Sequence, residues 1–259
     1  MPIQTDRAKT FHALHAPGNP VVLLNVWDAG SAQVVALAGA RAIATGSWSV
    51  AAAHGYTDGE NLPLELALAN LRRIVGAVSL PVTLDLEAGY GRTPAEVLAA
   101  VSGAIEAGAV GFNLEDRIIG EEGLYPAEDQ CARIRVARAA AEDAAIPAFI
   151  NARTDLFLKA HRADHDERLL DAALQRGAAY AGAGASGLFV PGLVDGPLIE
   201  RLCRESALPV NVLVLPGAPP AGRLADLGVA RISHGPGPYR LALGALEEAA
   251  RREYADKGP

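Results

Sequence analysis

The sequence predicts an α/β protein folded as a (β/α)8 TIM-type barrel, with one domain formed by residues 1–259. Short apolar runs recur along the chain at a spacing of roughly thirty residues, each followed by a polar or Gly-rich turn and an amphipathic helical stretch. The runs are almost continuously apolar, which is typical of parallel strands buried on both faces. No linker or charge run divides the chain, and α/β barrels of about 250 residues commonly form one domain.

The same pattern places the individual elements. Eight strands are expected at residues 21–26, 42–45, 82–85, 110–114, 148–152, 187–190, 210–214 and 230–233. A short leading helix is expected around Phe11 and Leu14, and a last helical run covers residues 239–254. Thr93 followed by Pro94 and Glu96 predicts a capped helix start, and this helix should stop at Gly108. Further helix starts are expected near Pro63, Pro126 and Pro238, and further stops at Gly39, Gly177 and Gly228.

Charge and cysteine content narrow the classes of function. The chain carries 23 basic and 30 acidic side chains, a net charge of −7, with a pI of about 5.4. This acidic balance disfavours binding to nucleic acid or to a membrane surface. The two cysteines, Cys131 and Cys203, form no ligand pattern, and Cys131 is expected to be a small buried hydrophobe in an amphipathic helix. Without an apolar N-terminal segment or a bilayer-length apolar run, the sequence indicates a cytoplasmic protein.

Polar side chains cluster where the predicted strands end, which is the active-site end of α/β barrels. They are Asn25, Asp28, Ser47, Trp48, Asp58, Asp85, Glu87, Asn113, Glu115, Asp116, Asn151, Arg153, Asp155, Asn211, Ser233 and His234. Residues two apart on a strand face the same side, so Asp85 should point with Glu87 into the barrel mouth. Clustered carboxylates repel one another, and oxygen ligands without His or Cys favour Mg²⁺ or Mn²⁺ over zinc. The pattern predicts one direct carboxylate ligand and further acids that hold the metal's waters.

Several of these residues also have a structural interpretation. Asp28 can cap the helix that follows it, and Arg153 can be a salt-bridge partner of neighbouring acids. Trp48 can line a pocket or fill the core. His234 can contact a substrate carboxylate, act as an acid or base, or have no role. The asparagines, Asn211 among them, can bind substrate or only satisfy backbone groups.

Ordered sequence blocks point to a family. The segments GSWSVAAAHGYTDGE, LDLEAGYGR, NLEDR and INARTDLF are joined by NVWDAGSA, GLFVPGL and PVNVL. Through these blocks the chain resembles the isocitrate lyase and phosphoenolpyruvate mutase superfamily over nearly its whole length, and most closely its shorter phosphonomutase-like members. The resemblance implies a (β/α)8 barrel that assembles as a homo-oligomer, a dimer or a tetramer, in which paired subunits exchange the last helix.

The resemblance also implies roles for single residues. Asp85 would be the direct Mg²⁺ ligand, and Glu87, Glu115 and Asp58 would hold the metal's waters. The backbone amides at Gly46, Ser47 and Trp48 resemble the family's clamp for a substrate carboxylate. The expected catalytic residues are Arg153, Asp58 and Glu115. The expected substrate-binding residues are Gly46, Ser47, Trp48, Arg153, Asn211 and His234.

Departures from the family narrow the expected reaction. Residues 115–124 contain no Cys or His, whereas isocitrate and methylisocitrate lyases carry a catalytic Cys there, and Pro191 stands where the mutase has a His. The sequence therefore predicts a Mg²⁺-dependent lyase that breaks a carbon–carbon bond of a small 2-oxo or 2-hydroxy (di)carboxylic acid through an enolate, with a 2-oxo dicarboxylate favoured. A short acidic lid at residues 117–124 would disfavour a phosphonate dianion. The alternatives are a phosphonopyruvate mutase or hydrolase, and a metal-dependent 2-oxo acid binding protein without turnover.

Overall fold

The strands form one parallel sheet in the computed structural model, which describes residues 2–255. They are β1 (Val21–Leu23), β2 (Asn25–Val26), β3 (Ile43–Thr45), β4 (Val82–Asp85), β5 (Gly111–Glu115), β6 (Phe149–Arg153), β7 (Gly187–Phe189), β8 (Val210–Leu213) and β9 (Arg231–Ser233). The strand order is β1-β9-β8-β7-β6-β5-β4-β3-β2, so the two outermost strands are consecutive along the chain. β1 pairs with β9, and β2 pairs with β3, so the two edges of the sheet meet and the barrel closes. Leu24 is the residue between β1 and β2, where the chain passes from one pairing partner to the other. The predicted barrel is confirmed, and its first strand is divided where it changes partner.

Helices alternate with the strands. They are α1 (Pro2–Ala13), α2 (Ala29–Leu37), α3 (Ser47–Ala53), α4 (Leu64–Ala77), α5 (Pro94–Glu106), α6 (Ala127–Asp143), α7 (Leu156–Lys159), α8 (Glu167–Gly182), α9 (Gly196–Glu205), α10 (Ala221–Asp226) and α11 (Gly237–Ala255). The short helices α3 and α7, which follow β3 and β6, were not predicted. Among the residues described, none of these helices has the length and apolar character needed to cross a membrane.

Local signals explain where several helices begin. Thr93 Oγ1 accepts a hydrogen bond from the amide of Glu96, whose carboxylate accepts from the amide of Thr93, so the predicted capping box is confirmed. Asp28 accepts from an amide of the first turn of α2 at 2.7 Å, which confirms its helix-capping interpretation. The predicted stop at Gly177 was wrong, because this residue lies inside α8. A Cβ there would come within 2.6 Å of Leu188 Cδ2, so the glycine allows α8 to pack closely on β7.

The core consists mainly of Ala, Val, Leu and Ile, and one group of aromatic rings lies at the amino end of the barrel. Near the amino end of β6, the fully buried Phe11 of α1 makes an edge contact with Phe149 at 5.6 Å between ring centroids. His15 stacks on Phe149 at 3.8 Å, and its Nδ1 lies 2.7 Å from Phe11 O. Cys131 is buried in α6, as predicted.

Acidification is expected to destabilise the protein through His15. Burial, followed by the charge of Arg231, lowers the pKa of His15 from 6.5 to about 3. The unfolded chain therefore takes up a proton here at a pH where the folded chain does not, so stabilisation that is complete above pH 6.5 is lost as the pH falls towards 3. In urea titrations, we expect this group to lower the free energy of unfolding by at most about 1.4 kcal/mol per pH unit in that range.

The variant His15→Phe tests this assignment, since it keeps a ring against Phe149 but cannot take up a proton. Its free energy of unfolding should fall less steeply with decreasing pH than that of the wild-type protein. His161→Gln changes an exposed histidine and should keep the wild-type slope. An unchanged slope in His15→Phe would contradict the prediction.

Candidate active site

A cavity of about 160 Å³ opens at the carboxyl ends of the strands. It is lined by Asn25, Gly46, Ser47, Trp48, Asp58, Asp85, Asn113, Arg153, Phe189, Leu213, Ser233, Gly235 and Pro236. The predicted site residues that meet here are Gly46, Ser47, Trp48, Asp58, Asp85 and Arg153. The parallel register explains this convergence, because Asp85 stands opposite Asn113 on the neighbouring strand.

The carboxylate of Asp85, at the end of β4, is oriented by three hydrogen bonds. Its Oδ2 accepts from the amide and the hydroxyl of Ser47 at 3.0 and 2.9 Å, and its Oδ1 accepts from Asn113 Nδ2 at 3.1 Å. Asn113 is held in turn by Asn151 Nδ2, which lies 2.8 Å from its Oδ1. The protein alone therefore fixes this carboxylate at the cavity wall.

The predicted amide clamp is partly engaged within the protein. The amide of Gly46 donates to a carbonyl of β2 at 3.2 Å, and the amide of Ser47 donates to Asp85. Trp48 lies in the first turn of α3, where amides have no acceptor inside the helix. Its ring lines the cavity and makes an edge contact with Tyr239 at 6.0 Å, which favours the pocket-wall interpretation of Trp48.

Glu87 lies beside the cavity, in the loop after β4, and binds the loop between α3 and α4. One of its carboxylate oxygens accepts from the amides of Gly59 and Glu60 at 2.9 and 2.7 Å. Glu60 Oε1 accepts from the amide of Tyr90 at 2.7 Å. Glu60, Glu87 and Tyr90 adopt φ values of 57°, 51° and 52°, a left-handed conformation that costs energy for residues other than glycine. These contacts hold the loop that presents Asp58 at the cavity rim.

The acids around the cavity carry an excess of negative charge. Burial, followed by the charge of Asp58, raises the pKa of Glu87 to about 8. Desolvation, followed by the charge of Asp85, raises the pKa of Asp58. Burial also raises the pKa of Glu115 well above its ordinary value, although Arg153 opposes this shift. A bound cation would relieve the repulsion that these shifts reflect.

Arg153, at the end of β6, is held by two acids and also lines the cavity. Its Nη1 lies 2.9 Å from Glu115 Oε2, and its Nε and Nη2 donate to the two carboxylate oxygens of Asp155 at 2.6 and 2.9 Å. Burial by itself lowers the pKa of Arg153, but Glu115 and Asp155 raise it above its ordinary value, so the guanidinium stays charged. The salt-bridge interpretation is therefore confirmed, and the role of this side chain toward a substrate stays a prediction.

The other predicted site residues lie outside the cavity wall that the described residues form: Glu87, Glu115, Asn211 and His234. Glu115 is buried, and its carboxylate forms a salt bridge with Arg153, which does line the cavity. Asn211 is buried in β8 and accepts from Ser233 Oγ at 3.2 Å. The amide of His234 donates to Asn25 Oδ1 at 3.0 Å, and burial lowers the pKa of its imidazole. Their roles toward metal-bound water or substrate stay predictions.

The donor set fits Mg²⁺ bound by few protein ligands. Within residues 2–255 there is no group of three or more His, Cys, Asp or Glu side chains arranged to hold a metal ion. Asp85 and Asp58 nevertheless present carboxylates to the same cavity, and the described residues of its wall include no His or Cys. Mg²⁺ usually binds one or two carboxylates and keeps several waters. One direct ligand, Asp85, with water-mediated contacts to other acids is compatible with this geometry.

The sequence analysis did not single out Arg231, because this residue lies in a strand that is otherwise apolar. Its side chain is a cation fully buried inside the barrel. Its Nε donates to Ser233 Oγ at 3.3 Å, and its Nη2 lies 3.4 Å from Asn113 Oδ1. Burial lowers the pKa of Arg231 to about 10, although Asp85 opposes this shift. Its spacing of two residues from Ser233 was the available signal, because both side chains then face the barrel interior.

The segment expected to act as a lid, residues 117–124, is a short hairpin in which Arg117 pairs with Leu124. Arg92, in the loop after β4, forms a salt bridge with Glu121 at 2.7 Å. The hairpin is thereby joined to the loop that also contains Glu87.

Curated relatives cover almost the whole chain. An uncharacterised protein of Mycobacterium tuberculosis (strain ATCC 25618 / H37Rv) is 34% identical over 248 residues, which are 93% of this chain and 88% of that protein. The 2-methylisocitrate lyase of Escherichia coli (strain K12) is 29% identical over 256 residues, which are 95% of this chain and 82% of that enzyme.

Solved structures share the fold. A candidate phosphonomutase from Burkholderia cenocepacia J2315 is 51% identical with a TM-score of 0.94, over 96% of this chain and 99% of that chain. Phosphonopyruvate hydrolase in complex with oxalate and Mg²⁺ has a TM-score of 0.83 at 23% identity, over 97% of this chain and 88% of that chain. The family model of phosphoenolpyruvate phosphomutase matches residues 11–253. The resemblance seen in the sequence blocks is thus confirmed, and the chain belongs to the phosphoenolpyruvate phosphomutase family.

Proposed function

We propose that this protein is a Mg²⁺-dependent lyase that breaks a carbon–carbon bond of a small 2-oxo or 2-hydroxy acid. The observation that carries the proposal is the fixed orientation of Asp85 at a cavity wall that also contains Asp58 and Arg153. A relative that is a 2-methylisocitrate lyase supports carbon–carbon cleavage, and phosphonopyruvate hydrolase, a structural neighbour solved with oxalate and Mg²⁺, supports the choice of metal only.

Two acids of the site would bind the metal, and Arg153 would stabilise the negative charge that develops on the substrate. Mg²⁺ held by Asp85, with Asp58 acting through water, would supply a Lewis acid for the keto and carboxylate oxygens of the substrate. Ser47 and Asn113 keep the Asp85 carboxylate in one orientation. Arg153 directs donors to the cavity, where negative charge grows as the bond breaks, and its own salt bridges hold it in place.

Proton NMR tests the proposal directly. The purified protein is incubated with Mg²⁺ and a pool of 2-oxo and 2-hydroxy acids, with an EDTA control. Mg²⁺-dependent conversion of one acid supports the lyase, because the product shows which bond broke. If no acid is converted and a 2-oxo acid shows line broadening that EDTA abolishes, the lyase is excluded in favour of a binding protein without turnover.

A second candidate is a phosphonopyruvate mutase or hydrolase. The observation in its favour is the 51% identity to the candidate phosphonomutase of Burkholderia cenocepacia. The acids that already neutralise Arg153 count against binding of a phosphonate dianion. Phosphorus NMR distinguishes the two candidates, because phosphonopyruvate would be converted to phosphoenolpyruvate by a mutase or would release phosphate with a hydrolase.

We also infer that α11 docks on a second copy of the chain, in a homodimer or a tetramer. Tyr239, at its start, is buried in edge contact with Trp27, whereas one helix stripe formed by Leu243, Leu246 and Tyr254 is 45%, 65% and 69% exposed. Such a stripe at helical spacing is typical of a helix that packs on a partner.

Light scattering during gel filtration measures the assembly. The wild-type protein should have at least twice the mass of the 26.8 kDa chain, and a variant with Leu243→Glu and Leu246→Glu should approach the mass of one chain. Glu248→Gln, on another face of α11, should leave the mass unchanged. A wild-type mass equal to that of one chain would refute the docking of α11.

A further inference from the structure

Arg231 connects two sides of the cavity wall from inside the barrel. Its Nε donates to Ser233 Oγ at 3.3 Å, and its Nη2 lies 3.4 Å from Asn113 Oδ1. Ser233 and Asn113 both line the cavity, whereas Arg231 is fully buried behind them. Ser233 belongs to β9 and Asn113 to β5, which are separated by three strands on one side of the barrel and by four on the other. The guanidinium therefore crosses the interior of the barrel just behind the cavity.

Stability alone does not account for a cation at this position. The interior of a (β/α)8 barrel is ordinarily filled by branched apolar side chains. Burial lowers the pKa of Arg231 to about 10, so the side chain is still charged at neutral pH. Within residues 2–255 its hydrogen-bond partners are the neutral oxygens of Ser233 and Asn113, and its Nη1 has none. Such a buried cation costs stability relative to an apolar residue, which points to a role in the site that it adjoins.

Asn113 links Arg231 to the proposed metal ligand. Arg231 can only donate hydrogen bonds, and the carboxylate of Asp85 can only accept them. Asn113 stands between the two, with its Oδ1 facing Arg231 and its Nδ2 donating to Asp85 Oδ1 at 3.1 Å. Arg231 therefore favours the amide orientation in which the NH2 group faces Asp85.

The other neighbour of this amide cannot set its orientation alone. Asn151 Nδ2 donates to Asn113 Oδ1 at 2.8 Å. An amide can turn over and present an acceptor in place of a donor, and Asn151 Oδ1 has no hydrogen-bond partner among the residues described that would prevent this. Arg231 has no acceptor to present, so it holds Asn113 in one orientation.

We propose that Arg231 is a positioning residue of the metal site, which acts through Asn113 to hold the Asp85 carboxylate in the orientation that binds the divalent cation. The inference rests on the proposed function, because it requires Asp85 to be the metal ligand. Arg231 then contacts neither the substrate nor the metal. Its effect is on the affinity of the site for the metal, which can be measured without a substrate.

The charge of Arg231 and its positioning role have opposite consequences for metal binding. A buried cation repels a divalent cation nearby, so removal of the charge alone would strengthen metal binding. Arg231→Lys keeps the charge. Lysine ends one bond short of Nη2 and has a single nitrogen, so it cannot bind Ser233 and Asn113 together. This variant therefore isolates the positioning role from the charge.

Binding of Mn²⁺ tests the proposal, with the free ion measured by electron paramagnetic resonance. Mn²⁺ accepts the same oxygen ligands as Mg²⁺. Binding that is lost in Asp85→Asn identifies the site and is compared among the variants. We expect Arg231→Lys to bind Mn²⁺ there at least about threefold more weakly than the wild-type protein. Equal or tighter binding in Arg231→Lys would overturn the proposal.

Asn113→Ala tests the route of the effect. This variant should bind Mn²⁺ about tenfold or more weakly, since it loses a direct hydrogen bond to the metal ligand. Adding Arg231→Lys to it should have little further effect, because the contact between the two residues is already lost. If the two effects on the free energy of binding add in full, Arg231 does not act through Asn113 and the proposal is wrong. If Arg231→Lys does not fold, Asn113→Ala decides, since an unchanged affinity for Mn²⁺ in that variant also refutes the proposal.

Arg138→Lys provides the matched control. Arg138 also binds several oxygens with one guanidinium, among them Gly184 O and Ala148 O, each at 3.0 Å. Ala148 directly precedes β6, at the amino end of the barrel, and none of these three residues lines the cavity. The variant should lose stability in urea titrations and keep the wild-type affinity for Mn²⁺. A loss of affinity as large as that of Arg231→Lys would show that destabilisation alone weakens the site, which would overturn the assignment.

The same titrations separate failure of this inference from failure of the proposed function. If the wild-type protein binds Mn²⁺ and Asp85→Asn does not, the proposed metal ligand stands, and an unchanged affinity in Arg231→Lys removes the positioning role only. If the wild-type protein does not bind Mn²⁺, or Asp85→Asn binds it equally well, the metal site of the proposed function falls together with the inference.

Discussion

Asp85→Asn is expected to abolish Mg²⁺-dependent turnover, lowering kcat by about a thousandfold or more. The substitution keeps an oxygen that can accept from Ser47 but removes the negative charge from the proposed direct ligand. Calorimetric titration with Mg²⁺ should show loss of binding in the variant, and NMR assays of the substrate found in the pool should show loss of turnover. The fold should persist, since the side chain lies at the cavity wall and not in the apolar core.

Asp195→Asn provides the matched control for this prediction. Asp195 accepts from the amide of Leu198 at 3.0 Å as the cap of α9, and Asn caps helices about as well as Asp. This variant should keep both Mg²⁺ binding and turnover. Full activity in Asp85→Asn would show that the metal, if required, is bound by other residues.

Much of the fold could be predicted because its signals are local. Buried parallel strands leave continuous apolar runs, and caps such as Thr93 leave a recognisable pattern. The division of the first strand at Leu24 has no local signal, since it arises where the barrel closes and the chain changes its pairing partner. The helix stop predicted at Gly177 was wrong for a similar reason. The glycine is required by close packing against Leu188, which belongs to another element and is far away in the sequence.

The charged residues of the cavity wall could be predicted from the sequence, and its apolar residues could not. Asp85 and Arg153 stand out because polar residues at strand ends are unusual in a core. Alternation fails for Glu87, since β4 ends at Asp85 and the positive φ of Glu87, 51°, turns its side chain out of strand geometry. Phe189 and Leu213 cannot be distinguished from ordinary core residues by sequence, because their role depends on the cavity they border.

Arg153→Lys is expected to lower kcat/KM by about a hundredfold or more. The same substitution should lower the free energy of unfolding only slightly. Lysine keeps the positive charge beside Glu115 and Asp155 but loses the planar group that binds both acids and still presents donors to the cavity. Arg153→Met should be far more harmful to the fold. It leaves buried acids facing each other without a cation, which costs about 3 to 5 kcal/mol.

Arg176→Lys separates a structural role of Arg153 from a role in the reaction. Arg176 also forms a partly buried ion pair, with Asp116 at 3.1 Å, and its side chain is 18% exposed against 16% for Arg153. It does not line the cavity, so Arg176→Lys should lose comparable stability in urea titrations and keep kcat/KM near the wild-type value. If both lysine variants lost activity only in proportion to stability, Arg153 would be a structural residue. A loss of activity confined to Arg153→Lys requires that its guanidinium acts on the substrate, because stability and charge are then matched between the two variants.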